Sequence, residues 1–351
     1  MTADLPTPAL LLDLDAFESN LAAAADLVRG TGTLLRPHVK AHRTPGLALR
    51  QLGEVARGVT CATVGEAEAM AGAGIDDLLL ANEIVTATKI DRMMTLAQNA
   101  RVILVVDSDE GLEALSAAAR RSGTHVDVLV DVDVGLGRCG VPDVGSARSL
   151  AAAVERAEGL RFAGIMGYEG RLRAGETGRA EKIGDAYRLL AEVKEAIEAD
   201  GLPVETVSSA GTSTVLEAVA DPVVTEIQAG TYALMESDLA GLGLPFRQAV
   251  SVASTVISRA PARVVLDGGR KSIGSDYGPP VPISADNARV TAFNEEHTVL
   301  AWDGPLPALG SIMELRPAHV RTTFNLHDEV RLVRAGRVED RLPVSARGRS
   351  S

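Results

Sequence analysis

The chain has 351 residues and a mass of 36.6 kDa, enough for a (β/α)8 barrel of about 250 residues with a smaller domain beside it. A formal net charge of −12 repels phosphate backbones and anionic lipid, which excludes nucleic acid as a partner held by charge and leaves a small molecule. No basic region precedes an apolar stretch at the start, and no window has the roughly 18 apolar residues of a membrane helix, so a cytoplasmic protein is expected.

In chain order, residues 8–13 and 16–30 read as a lead-in strand and helix. Eight short apolar runs follow, at 34–40, 59–64, 77–82, 102–107, 126–133, 162–168, 204–209 and 223–228. They alternate with Ala-, Glu- and Arg-rich segments such as 65–74 and 180–200, which carry good helix formers. This alternation predicts a TIM-like (β/α)8 barrel over residues 1–246. Thr44 and Pro45 offer the N-cap and first residue of the helix after the first barrel strand. From residue 247 the text turns to β-branched alternation with turn signals, as in SVASTVISR and EVRLVRAGRV, which predicts a β domain over 247–351. The Arg/Ser-rich end, 346–351, is expected to be disordered. Cys61 and Cys139 fall in or at the end of predicted strands and are expected to be buried structural thiols.

The segment 34–42 reads Leu-Leu-Arg-Pro-His-Val-Lys-Ala-His, and strand alternation puts His38, Lys40 and His42 on one face, the barrel interior. A lysine there must desolvate its ammonium, a cost accepted where the amine is consumed in chemistry such as a Schiff base. Taken alone, the segment fits a snorkelling strand-end lysine equally well. Two loops tip the balance. Ser209-Ala210-Gly211-Thr212-Ser213-Thr214 follows the seventh strand and Ala229-Gly230-Thr231-Tyr232 the eighth, where barrels commonly hold phosphate. Small residues let backbone N–H groups approach a dianion, hydroxyls add donors, and the next helix N-terminus adds its dipole. A Schiff-base lysine opposite a phosphate site points to pyridoxal phosphate (PLP). Arg138, after the glycine-rich stretch that ends the fifth strand, can donate to the phenolic oxygen of PLP or pair with Asp131 or Asp133. Tyr168, closing the sixth strand, can pack on the cofactor, act on substrate or lie on the rim.

Together these segments resemble the fold-type III PLP enzymes, the alanine racemase-like class, and most closely its D-threonine aldolase and D-serine dehydratase branch, over nearly the whole chain. RPHVKAHRT is similar to that branch's Schiff-base motif, and DVGLGRCGV, SAGTST and QAGTYALM to its cofactor-binding motifs. DGGRKSIGSD and HTVL resemble its β domain. The likeness implies a homodimer in which Lys40 carries PLP, Arg138 contacts the phenolic oxygen, and the loops Ser209 to Thr212 and Gly230 to Tyr232 hold the phosphate. In alanine racemases an arginine two residues before the glycine matching Gly230 faces the pyridine nitrogen. Here Gln228 stands there, a neutral partner that weakens the electron sink and favours lyase steps assisted at a β-hydroxyl. Metal-dependent members of the branch bind a divalent ion through a histidine and, two residues on, an aspartate or cysteine. In Pro317-Ala318-His319-Val320-Arg321 the histidine matches and Arg321 does not, because a guanidinium cannot ligate a cation and repels one, so either a divalent ion has other ligands beside His319 or none binds. On a strand Arg321 would share the face of His319 and could reach a substrate carboxylate, or stand solvated. His327 and Asp328 read as a turn.

The function expected is a PLP-dependent lyase acting on a D-amino acid, β-hydroxylated, by retro-aldol cleavage or β-elimination. Lys40 serves as Schiff base and proton-transfer group, His319 lies near the β-substituent, and Tyr168 and Arg321 contact the substrate. A racemase or epimerase of the same fold is the enzymatic rival, since it needs no metal. A non-catalytic PLP carrier would leave the β domain unexplained.

Overall fold

The computed structural model describes residues 5–239, 241–283 and 285–351. The chain forms two compact units, one of Ala24–Lys40, Ala48–Gly230 and Arg349–Ser351, the other of the chain up to Ala23, Ala41–Leu47 and Thr231–Gly348.

β1 (Ala9–Asp13) belongs to the second unit. In the first, β2 (Leu34–Leu35), β3 (Val59–Cys61), β4 (Asp77–Leu80), β5 (Arg101–Val106), β6 (Val126–Asp131), β7 (Leu160–Gly167), β8 (Thr206–Ser209) and β9 (Glu226–Ile227) occupy the eight expected runs. They form a parallel sheet of order β2-β9-β8-β7-β6-β5-β4-β3. A bridge between His38 and Thr60 joins its two ends, with the Thr60 amide donating to the Pro37 carbonyl at 2.9 Å. Parallel strands covered on both faces have no polar side, which is why they read as unbroken apolar runs. Leu79, Ile103, Val105, Leu129, Ala163 and Met166 form one cluster of its core. Register shifts between β6 and β7 at Val128/Leu129, beside Gly164 at φ +142°, where any side chain would run into the Thr206 carbonyl.

Alternating charges line the strand starts. Arg36 pairs with Asp77 and with Glu226 (2.7 Å), Arg101 with Asp77 (3.1 Å) and Asp127 (2.8 Å), and Arg161 with Asp127 (2.7 Å) and Glu205 (2.8 Å). Arg101 and Arg161 are nearly half exposed, so their pairs add little stability, whereas the Arg36 side chain is only 7% exposed.

The second unit joins β1 to β10 (Val250–Ala260), β11 (Arg263–Leu266), β12 (Val281–Pro282), β13 (Ala288–Phe293), β14 (Thr298–Trp302), β15 (Ile312–Arg316), β16 (Glu329–Arg334) and β17 (Arg337–Pro343). The sheet order is β13-β14-β11-β10-β1-β16-β17, with β15 pairing β10 and β12. The strand expected to lead into the barrel therefore lies elsewhere, antiparallel to β10 and parallel to β16. Its Ala-Leu-Leu-Leu run is fully buried, as a mid-sheet strand requires, and its place in sequence gave no sign of partners more than 230 residues away.

The terminal segment expected to be disordered is tied down. Ala346 is buried and its amide donates to the Arg43 carbonyl at 3.0 Å, while the Arg349 carbonyl accepts from the Thr63 hydroxyl at 2.7 Å. Cys61 is buried as expected; Cys139 lies in a loop and is only half-buried. Among the described residues no helix is long and apolar enough to cross a membrane.

Candidate active site

β2 stops at Leu35, and the chain beyond His38 tightens into a 3-10 turn, Val39–Ala41. The alternation expected through His38, Lys40 and His42 therefore fails. Pro37 has no N–H for a ladder, and the His38 amide is engaged by the Ala229 carbonyl at 3.1 Å. His42 is buried in the second unit, its Nδ1 accepting from the Thr44 amide (3.1 Å) and its ring edge-on to Phe324 at 6.4 Å. The helix Pro45–Gln51 begins where predicted, but the Thr44 hydroxyl donates to the His42 carbonyl (2.7 Å). Lys40 stays half-buried beyond the strand end, its Nζ 6.0 Å from the centre of the Tyr168 ring.

Tyr168, directly after β7, is where the expected groups meet. The Arg138 guanidinium carbon lies 5.7 Å from the centre of the same ring, and a Cβ built on Gly211 would stand 3.3 Å from its Cε2. Gly211 thus lets the loop lie flat against Tyr168. Ala210 before it adopts φ +66°, a left-handed turn that is uncommon outside glycine. The Gly211 amide donates to the Thr214 hydroxyl (3.2 Å), which donates in turn to Glu169, and Ser209 Oγ donates to the Gly167 carbonyl (2.6 Å) and weakly to Glu169 (3.3 Å). Burial pushes the Glu169 carboxyl upward while these hydroxyls oppose the rise. Sequence reasoning missed Glu169; a carboxylate directly after a strand end and before a glycine was the one available signal. The small residues of this turn let a phosphate such as that of PLP approach the backbone, while a Cβ at 211 would press on the Tyr168 ring. Gly211→Val should push Tyr168 aside and weaken PLP binding by about 1–3 kcal/mol, read by titrating apoprotein with PLP. An affinity equal to wild type would move the phosphate elsewhere.

Gln228 follows β9 and is held from below. Its Nε2 donates to Ser208 Oγ (2.9 Å), which donates to Glu226 (2.6 Å), the carboxylate paired with Arg36. Gly230 ends the first unit, whereas Thr231 and Tyr232 start the second, buried in a 3-10 turn with the Tyr232 ring 5.7 Å from Phe246.

Around Arg138, no ion pair to Asp131 or Asp133 exists among the described residues. Asp133 instead organises the glycine loop, accepting from the amides of Gly135 (3.1 Å) and Gly137 (2.9 Å). Burial and the neighbouring Glu83 push Asp131 up to about 8, and burial together with Glu83 pushes the Cys139 thiol up to about 11. Because Asp131 exceeds its ordinary 3.8, the native state keeps a proton that the unfolded chain releases between those values. Stability should therefore fall as pH rises through that window, and Asp131→Asn should flatten the fall. Urea midpoints at about pH 5 and about pH 8 check this; an unchanged slope in the variant would assign the proton to another group.

His319 and Arg321 are not on a strand. His319 is the N-cap of a short helix, Val320–Asn325, and Arg321 its second residue. Thr322 and Thr323 are β-branched and favour extension, but the Thr323 amide (3.3 Å) and hydroxyl (2.7 Å) both donate to the His319 carbonyl, and Glu236 accepts the Val320 amide at 2.9 Å. The two side chains nonetheless meet, Arg321 Nε donating to His319 Nε2 at 2.9 Å. His327 and Asp328 have separate partners, Ser272 and Arg347, as expected of a turn.

The chain is 40% identical over 355 residues to a D-threonine aldolase of Arthrobacter sp, covering 99% of this chain and 94% of that protein. It is 34% identical over 362 residues to a 3-hydroxy-D-aspartate aldolase of Paracoccus denitrificans (strain Pd 1222), covering 99% and 93%. The crystal structure of D-threonine aldolase from Filomicrobium marinum superposes with a TM-score of 0.94 at 38% identity, covering 99% of this chain and 98% of that one. Residues 249–333 match the putative serine dehydratase domain. Since residues 12–238 match the alanine racemase N-terminal domain, the chain belongs to the alanine racemase-like family, in the form that carries a serine dehydratase-type domain after the barrel.

Proposed function

We propose that this protein is a PLP-dependent lyase that cleaves a D-configured β-hydroxy amino acid between Cα and Cβ. The observation that carries the reading is the meeting of the Lys40 amine, the Tyr168 ring, the Arg138 guanidinium and the Gly211 turn beyond the strand ends of the barrel. Bound PLP supplies an electron-withdrawing ring that stabilises negative charge developing at the substrate Cα.

The chain's own residues do the rest. Lys40 anchors the cofactor aldehyde and carries the proton exchanged at Cα, its amine being half-buried and so open to substrate. Arg138 would donate to the phenolic oxygen. Ser209, Gly211, Thr212, Gly230, Thr231 and Tyr232 would hold the phosphate, and Gln228 would face the pyridine nitrogen with a neutral amide. Tyr168 stands beside the amine, its ring centre 6.0 Å from Nζ, where it can pack against the cofactor. The β-hydroxyl proton passes to the Lys40 amine, the oxygen closes to an aldehyde as the Cα–Cβ bond opens and leaves its electron pair at Cα, and the Lys40 ammonium returns that proton to Cα. Cleavage is favoured over elimination because the 40% and 34% identical relatives are both aldolases. The family resemblance implies a homodimer, checked by sedimentation of the holoenzyme.

Incubation of the holoenzyme with a panel of D-amino acids, followed by product identification, tests the reading. An aldehyde with glycine is expected from D-threonine. A keto acid with ammonia, or only the mirror-image amino acid, would overturn it in favour of elimination or racemisation.

A further inference from the structure

The position two residues beyond His319 holds more than a missing ligand. Arg321 Nε donates to His319 Nε2, so the imidazole lone pair that would bind a cation is occupied by a guanidinium. With Nε2 accepting that bond, the other ring nitrogen, Nδ1, faces Asp276 Oδ2 at 2.7 Å and the Thr322 hydroxyl at 2.9 Å. The guanidinium is fixed from two further sides. Tyr277 lies with its ring 4.5 Å from the imidazole and its hydroxyl accepts from Arg321 Nη2 at 3.2 Å; the fully buried Glu236 carboxylate is 3.7 Å from Nη2.

A divalent ion at His319 would have to displace the Arg321 N–H and stand beside a positive charge that cannot be neutralised by deprotonation. The residues present therefore do not fit a metal. We propose that Arg321 is the permanent cation of this cluster in place of a divalent ion, and that it binds a carboxylate of the substrate. Its Nη1 amine has no hydrogen-bond partner among the described residues, and a side chain that is 22% exposed leaves that amine open to an oxyanion. The identity of the ligand rests on the lyase reading above; the exclusion of metal does not.

Holoenzyme treated with chelator is dialysed and titrated with Mn2+, and bound metal is counted by elemental mass spectrometry. Wild type should take up no stoichiometric Mn2+ and keep its activity. Arg321→Asp should bind Mn2+ stoichiometrically and lose it when His319→Ala is added. Arg321→Ala should raise KM on the order of tenfold to a hundredfold with the PLP spectrum unchanged. Stoichiometric Mn2+ on the wild type that His319→Ala removes overturns the proposal, and so does an unchanged KM in Arg321→Ala. A wild type without turnover on any D-amino acid that still excludes Mn2+ counts against the lyase reading and for the exclusion of metal.

Discussion

Lys40→Ala should abolish the covalent attachment of PLP and lower turnover on the order of a thousandfold or more, the usual cost of removing a residue that both bonds and moves protons. The wild-type protein should be yellow, and borohydride should fix its cofactor to Lys40. The fold should survive, because Lys40 sits in a 3-10 turn with a half-buried side chain rather than in the barrel core, so its removal opens no cavity there. The phosphate contacts proposed for the Ser209 to Thr212 loop would be untouched, so the variant should still bind PLP, reversibly. Mass spectrometry after borohydride treatment decides the matter: a PLP adduct retained in Lys40→Ala would move the Schiff base to another lysine.

What the sequence reveals and conceals here follows from the range of the interactions. The eight barrel strands are legible because a strand buried on both faces must be apolar throughout, a constraint satisfied within six or seven residues. Lys40, Arg138 and Gly211 could be named because each follows a legible strand. The local shape at Lys40 could not, since it depends on the His38 amide being engaged by Ala229, a partner 191 residues on. The helix at Val320 was hidden for the same reason: local propensity at Thr322 and Thr323 favours a strand, while the cap that starts the helix comes from Glu236, 84 residues earlier. Glu169 carries its meaning only through Ser209 and Thr214 of another loop.

Arg36 lies two residues before His38 in the lysine motif and touches no cofactor group in the lyase reading, yet its replacement should produce the largest loss of stability. Arg36→Met keeps the apolar stem and removes the charge, depriving Glu226 and Asp77, with side chains only 10% and 16% exposed, of the partner they share. Asp77 retains Arg101 at 3.1 Å, so the stranded group is Glu226, left with the Ser208 hydroxyl alone. Breaking a buried pair in this way costs about 3–5 kcal/mol, several times what the exposed pairs of Arg101 or Arg161 contribute. The space for the guanidinium is built into the chain: at Gly58 any Cβ would overlap Arg36 Nη1 and the Asp77 carbonyl, so Gly58→Ala should reproduce part of the loss. Because an unpaired buried carboxylate is relieved by protonation, the deficit of Arg36→Met relative to wild type should shrink as pH falls. The damage should also reach the cofactor site, since Glu226 positions Ser208 and Ser208 holds the Gln228 amide. Urea unfolding of both proteins across pH, with the PLP absorption spectrum as second readout, tests the whole chain of contacts. A loss below about 1 kcal/mol, or a deficit that grows toward acid pH, would mean that Arg36 does no more than a surface pair.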